Sequence, residues 1–359
     1  MKHLLILLLG VAAFGQAPEI PFDSVPNFLK LPADLHLGEA SGVAVNSKGH
    51  IFVYSRGSTT GPAYGATASQ LLEFGPDGKY LREIGKNLYA WSYAHCVRVD
   101  KDDNIWAVDK GSDMIIKFNP EGRVVMVFGR KKEASDEGAE PWKRVNPPRP
   151  AVNGQFRQPT DVTWDTQGNI FISDGYVNSR VAKYDKNGRW VKQWGDRGTK
   201  PGEFNTPHSI AADAKGNIYV ADRGNRRIQV FDPDGTFQRE FKIDVPVPAD
   251  AQPWMGNPPP PQAAGGTMGS GAPWAICISP GPTQYLYSAD AFPGRVYKLS
   301  LDGTVLGVLG TSGRQLKEFG WIHEMACPSE NVLFVAEILN WRVQKLLLHP
   351  GKPGATAAK

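Results

Sequence analysis

The sequence is poor in cysteine, in long apolar runs and in net charge, and each shortage removes a class of protein. Three cysteines, Cys96, Cys277 and Cys327, stand among 359 residues. An odd and low count does not make a disulfide framework, and a chain of this size does not need one. We read the three thiols as buried small hydrophobes, with at most one bridge among them. No apolar run reaches the roughly 18 residues of a membrane-spanning helix, so no membrane insertion is expected. Lys and Arg number 40 against 36 Asp and Glu, a net charge of +4. That charge is spread along the chain without a long basic block, which argues against nucleic acid as a partner.

What is present points to strands and turns. The chain holds 39 Gly and 29 Pro, more than the roughly 12% that the two supply in an average protein. It also holds 10 Trp, 11 Tyr and 16 Phe. Many turn residues with many aromatics favour an all-β fold over a helical bundle. The first residues, Met1-Lys2-His3, precede an apolar run from Leu4 to Phe14. A basic start and a short apolar stretch read as a signal peptide over residues 1–16, with Ala13 and Gly15 as the small residues near the cut. The protein is therefore expected to be exported, to the periplasm or outside the cell.

A repeat organises the remainder. Residues 158–195 and 206–241 share a short apolar strand, a D-x-x-G-N turn, an I-F/Y-x-x-D strand, an R-I/V strand, a D-x-x-G turn and a last strand. Gly takes the positive φ that such hairpin turns require, so each copy reads as a four-stranded antiparallel meander. Further copies fall in 37–85, 93–129, 272–310 and 321–348, the last one strand short. Six meanders of this length predict a six-bladed β-propeller over residues 17–350, followed by a disordered tail at 351–359. The segment Val25–Leu31 is expected to supply the missing outer strand and close the ring, which removes an exposed edge. Residues 130–156 and 242–271 do not fit the repeat. They read as long loops on one rim, the first as a lid and the second as disordered.

One register of the repeat carries chemistry. The residue after the Pro, or its equivalent, that opens each first strand is in turn Ser41, His95, Thr160, His208, Trp274 and His323. First strands line the axis of a propeller, and alternate blades of six lie about 120° apart. Three imidazoles are thus expected to converge from three sides, the ligand set of a catalytic zinc with an open position. Imidazole also suits Cu, Fe and Ni.

The stretches QPTDVTWDTQGNIFISDGYVNSRV, GEFNTPHSIAADAKGNIYVADRGNRRIQVF and SGVAVNSKGHIFVYSRG resemble the peptidyl-α-hydroxyglycine α-amidating lyases, which are six-bladed NHL-repeat propellers. The D-G-Y-x-N-S-R run is the most specific part, and the likeness covers roughly residues 37–348. The resemblance implies zinc on His95, His208 and His323, a catalytic Tyr176, and two substrate-facing or charge-neutralising arginines, Arg56 and Arg223. It further implies a calcium ion held by the carboxylate of Glu324 and the carbonyls of Val43 and Val97. The implied reaction splits a carbinolamide into an amide and glyoxylate, on a small or peptide substrate, in a monomeric enzyme.

Several positions depart from the family pattern. Trp321 stands where the family has Met, Glu324 where it has Asp, and Arg157 and Val177 where it has a disulfide. Nothing in the chain reads as the monooxygenase that makes the hydroxylated substrate. Two other functions fit a propeller: a non-catalytic NHL module that binds peptide or glycan with metal as a staple, and a lactonase-like hydrolase. The latter uses carboxylate and Asn clusters around calcium, which the histidine register does not match.

Overall fold

The computed structural model describes residues 17–57, 69–132, 144–252 and 267–349. The expected signal peptide at 1–16, the tail at 351–359 and the middles of both long loops lie outside the described residues.

In the first four repeats the inner strand ends in a turn set by its own Asp or Asn side chain. In the fourth copy Asp213 Oδ1 accepts from the backbone N–H of Lys215 and Asn217, both at 2.9 Å, and Asn217 Nδ2 donates back to Oδ2 at 2.7 Å. Gly216 takes φ +87° to close the hairpin. The third copy repeats this around Asp165, with Gln167 and Asn169 as donors and Gly168 at φ +84°. The strands form six four-stranded antiparallel sheets, and among the described residues the only helical element is a short 3₁₀ turn at Arg223–Asn225. The fold is an all-β six-bladed propeller. Its innermost strands are Ala40–Val45, Ala94–Val99, Asp161–Trp164, Pro207–Ala212, Ala275–Ile278 and Ile322–Ser329, one per blade. Each touches the next around the ring, the sixth returning to the first.

Aromatic side chains fill the seams between blades. Tyr54, Trp91 and Phe118 join blades one and two with ring centroids 5.1 and 5.9 Å apart. Trp194, Phe204 and Phe231 do the same between blades three and four. Such pairs contribute about 0.5–1.5 kcal/mol each beyond area burial.

The ring closes in the sixth blade, but not through Val25–Leu31. The outer strand is Phe22–Ser24, paired antiparallel with Leu346–Leu348. The pairing extends to Val25 N–H on Lys345 O at 2.9 Å. There Pro26 has no N–H to continue it, and Asn27 turns the chain with φ +46°. The residues beyond cross to blade one, where Lys30 N donates to Gly78 O at 2.8 Å. On the other side Ile20 N donates to Val308 O of blade five at 2.8 Å. One N-terminal segment therefore clasps three blade edges.

Two further expectations change. Cys277 and Cys327 are not free small hydrophobes but form a disulfide, because the inner strands of blades five and six bring their Cα atoms to 6.1 Å. Cys96 is free and buried. The described start of the second long loop is ordered, since Ile243 and Val245 are buried against blades four and five.

Candidate active site

In blades three, four and six a buried acid at the end of the second strand fixes the loop from which that blade's own inner strand emerges. Asp222 takes the backbone N–H of Asn205 at 2.7 Å and is held by Arg227 at 2.7 Å. Asp174 takes Arg157 N–H at 2.9 Å and is held by Arg180 at 3.0 Å. Glu337 takes Gly320 N–H at 2.7 Å and is held by Arg342 at 2.7 Å. In blade one the same place is filled by Ser55, whose hydroxyl accepts Gly38 N–H at 3.0 Å. The Asp…Arg pattern of the repeat is thus a scaffold for the site.

Where the inner strands begin, the ladder slips by one residue. It skips Ser41, His95, His208 and His323, each the extra residue of a β-bulge. A bulge re-aims a side chain and is common beside functional sites. The three histidines are brought together, with ring centroids 4.6, 4.8 and 4.9 Å apart. All three are buried, and their candidate ligand atoms lie within 4.8 Å of one another.

Each histidine leans on the blade that follows it. His95 Nδ1 donates to Thr160 O, His208 Nδ1 to Trp274 O, and His323 Nδ1 to Ser41 O, each at 2.7 Å. A carbonyl can only accept, so Nδ1 carries the proton and Nε2 keeps its lone pair. Burial first, and then neighbouring charged or imidazole groups, hold all three rings well below the usual histidine pKa. They are neutral and ready to act as ligands.

Tyr176 caps this cluster. Gly175 makes the approach possible, because a Cβ there would lie 1.9 Å from Pro207 O. The phenol oxygen sits 3.2 Å from His95 Nε2 and 3.1 Å from His208 Nε2. Burial pushes this phenol up, yet Arg223, Lys110 and Arg56 together outweigh it and hold it below the ordinary tyrosine value. Lys110 Nζ lies 3.9 Å from the centre of the Tyr176 ring. The Arg223 guanidinium lies 3.8 Å from the Trp274 ring and 5.4 Å from that of Tyr176. Its Nε and Nη1 are buried with no hydrogen-bond partner among the described residues. Arg56 is anchored by Glu39 at 2.5 Å and by Ala94 O at 3.1 Å, and lies over Tyr93. Trp321 packs edge-on against Trp274, centroids 4.7 Å apart, and takes φ +64°.

Glu324 lies further along the inner strands, in a second group with Cys96 and Asp161. Glu324 Oε2 accepts the backbone N–H of Val97 at 3.1 Å, and Oε1 lies 3.1 Å from Arg98 Nε. Val43 sits in the inner strand of blade one.

The NHL repeat model matches residues 204–231, a stretch that holds His208 and Arg223. Peptidylglycine alpha-amidating monooxygenase of Rattus norvegicus is 30% identical over 229 residues, which cover 57% of this chain and 22% of that protein. Peptidyl-alpha-hydroxyglycine alpha-amidating lyase 1 of Drosophila melanogaster is 25% identical over 343 residues, 88% of this chain and 58% of the other. The chain carries an NHL repeat and is similar to the amidating lyases. It spans about a fifth of the length of the rat relative and under two thirds of the fly one. Among solved structures, virginiamycin B lyase from Staphylococcus aureus superposes with a TM-score of 0.56 at 13% identity, covering 92% of this chain and 100% of the other. That likeness is one of fold alone.

Sequence reasoning missed Lys110, Tyr93 and the carbonyls that orient the imidazoles. Lys110 follows Asp109 just as Arg223 follows Asp222, so the repeat register could have found it. The carbonyl partners carry no sequence signal, because every residue has one. Among the described residues no helix is long and apolar enough to cross a membrane.

Proposed function

We propose that this chain is an exported zinc-dependent lyase that cleaves a peptidyl-α-hydroxyglycine-type carbinolamide to an amide and glyoxylate. The observation that carries the reading is the triad itself. Three buried imidazoles have Nδ1 tied to backbone and candidate ligand atoms within 4.8 Å of one another, and a phenol lies 3.1–3.2 Å from Nε2 of His95 and His208 under three cations. Three imidazole donors suit zinc better than the harder metals, and carbonyls that fix the far ring nitrogen are the usual support of such ligands. Zinc held by His95, His208 and His323 supplies Lewis acidity toward a substrate oxygen.

The chain's own residues account for the rest of the reaction. Tyr176, as phenolate, takes the proton of the substrate hydroxyl. The oxygen's electrons form the carbonyl of glyoxylate, the C–N bond breaks, and the amide nitrogen receives the proton back from Tyr176. Atoms and charge balance without a further reactant. Arg223, with buried Nε and Nη1 that lack a partner among the described residues, is suited to an anionic substrate group, and Arg56 and Lys110 favour the anionic phenol. The Cys277–Cys327 bridge accords with an oxidising compartment. The chain acts as a monomer on a small or peptide substrate.

The test is metal analysis of purified protein followed by glyoxylate release from an α-hydroxyglycine peptide. Stoichiometric zinc, with turnover abolished in His208→Ala, is the expected result. Zinc without turnover would point instead to a binding propeller with a metal staple, and protein that takes up no metal would overturn the reading.

A further inference from the structure

Three residues beyond His95 on the same inner strand, Arg98 reaches across the ring axis. Its Nε lies 2.9 Å from Asp161 Oδ1 and 3.1 Å from Glu324 Oε1. Its Nη2 lies 2.6 Å from Asp161 Oδ2, 3.2 Å from Ser209 Oγ and 3.3 Å from Ile276 O. Its Nη1 donates to Met325 O at 3.1 Å. These acceptors belong to blades three, four, five and six, while Arg98 itself comes from blade two. Blade one is joined through Gly42, where an added Cβ would stand 2.6 Å from Glu324 Oε2. The guanidinium and both carboxylates are largely buried, with side chains 14%, 2% and 4% exposed.

We infer that the Arg98 guanidinium is the axial cation of this propeller, in the role that the family resemblance gives to calcium, and that the fold stands without calcium. A calcium ion needs six to eight oxygen ligands. Here Glu324 faces donors instead: Val97 presents its N–H, Arg98 its Nε, and Cys96 its thiol at 3.1 Å. The same thiol lies 2.7 Å from Asp161 Oδ1, and sulfur is a poor partner for a hard cation. A guanidinium meets these acceptors well. It is planar, permanently charged, weakly hydrated and carries five N–H donors, enough to bridge several blades at once. Nothing in this inference depends on the lyase activity.

The test uses the mature chain and two readouts. After dialysis, elemental analysis of the wild-type protein is expected to show no stoichiometric calcium, and millimolar calcium is expected to leave its melting temperature unchanged. Arg98→Ala leaves two buried carboxylates without their cation. It should melt lower by roughly 5 °C and recover part of that loss with calcium but not with magnesium, which demands stricter octahedral geometry. One calcium per wild-type chain that survives dialysis, or a calcium-stabilised wild type, overturns the inference. So does a folded Arg98→Ala that ignores calcium. If that variant does not fold, the wild-type calcium content and melting response decide alone.

Discussion

Tyr176→Phe isolates one oxygen atom. The ring would keep its edge contacts with His95 and His208, whose centroids lie 5.5 and 5.8 Å away, and its position 3.9 Å from Lys110. Only the hydroxyl near the two Nε2 atoms is lost. A positioned general base contributes about 10²–10⁴ in rate, so kcat for glyoxylate release should fall by that factor, about 3–5 kcal/mol of barrier. The stability change is far smaller. One hydroxyl hydrogen bond is worth about 1 kcal/mol, or roughly 1–2 °C in a domain of this size. Metal content should not change, because the three imidazoles are untouched. The assay is steady-state kinetics with metal analysis on the same preparation. Activity within tenfold of wild type at full metal loading would refute Tyr176 as the base. Loss of metal with loss of activity would show the phenol to be a ligand rather than a base.

Three other substitutions probe separate parts of the structure. Lys110→Met removes a cation that lowers the Tyr176 phenol; the base must be deprotonated to act, so the rising limb of the kcat/KM–pH profile should move to higher pH, with a loss on the order of tenfold at neutral pH. Replacing Cys277 and Cys327 by Ser opens a loop with a sequence separation of 50; chain entropy puts the loss at about 4 kcal/mol, roughly 6 °C by calorimetry, and an unchanged melting temperature would refute it. Gly42→Ala sets a Cβ 2.6 Å from Glu324 Oε2 and 2.8 Å from Val97 N, and denaturant titration should show a loss of about 2 kcal/mol.

Symmetry decided what could be read from the sequence. The D-x-x-G-N turns recur because Asp, Gly and Asn each perform a fixed task in the hairpin, as around Asp213 and Gly216. A repeat register then becomes a position on a ring, which is why His95, His208 and His323 could be grouped although 228 residues separate the first from the last. Features outside the repeat were not legible. The closing strand Phe22–Ser24 is only three residues long and has no turn of its own to mark it. The Cys277–Cys327 pair depends on how neighbouring inner strands align across blades, and the acceptors around Arg98 come from four different blades. Each of these is a contact between blades, and a repeat read along one chain carries no account of what the next blade presents.

That same symmetry explains why the site needs six blades rather than three. The ligand register alternates: blades two, four and six supply His95, His208 and His323, while blades three, five and one supply the carbonyls of Thr160, Trp274 and Ser41 that hold them. An imidazole on every blade would crowd the axis with six rings. With alternation, each ligand is oriented by its neighbour, and the tautomer is fixed by backbone that no side-chain substitution can remove. The odd blades are therefore free to vary at this position, as the set Ser41, Thr160 and Trp274 shows, while the even blades share one residue type. Arg98 follows a related logic one turn of the ladder further in, where a single charged side chain from one even blade serves acceptors on four others. The propeller thus holds its axis with two different devices, a threefold set of neutral imidazoles at the Tyr176 end and one asymmetric cation beyond it.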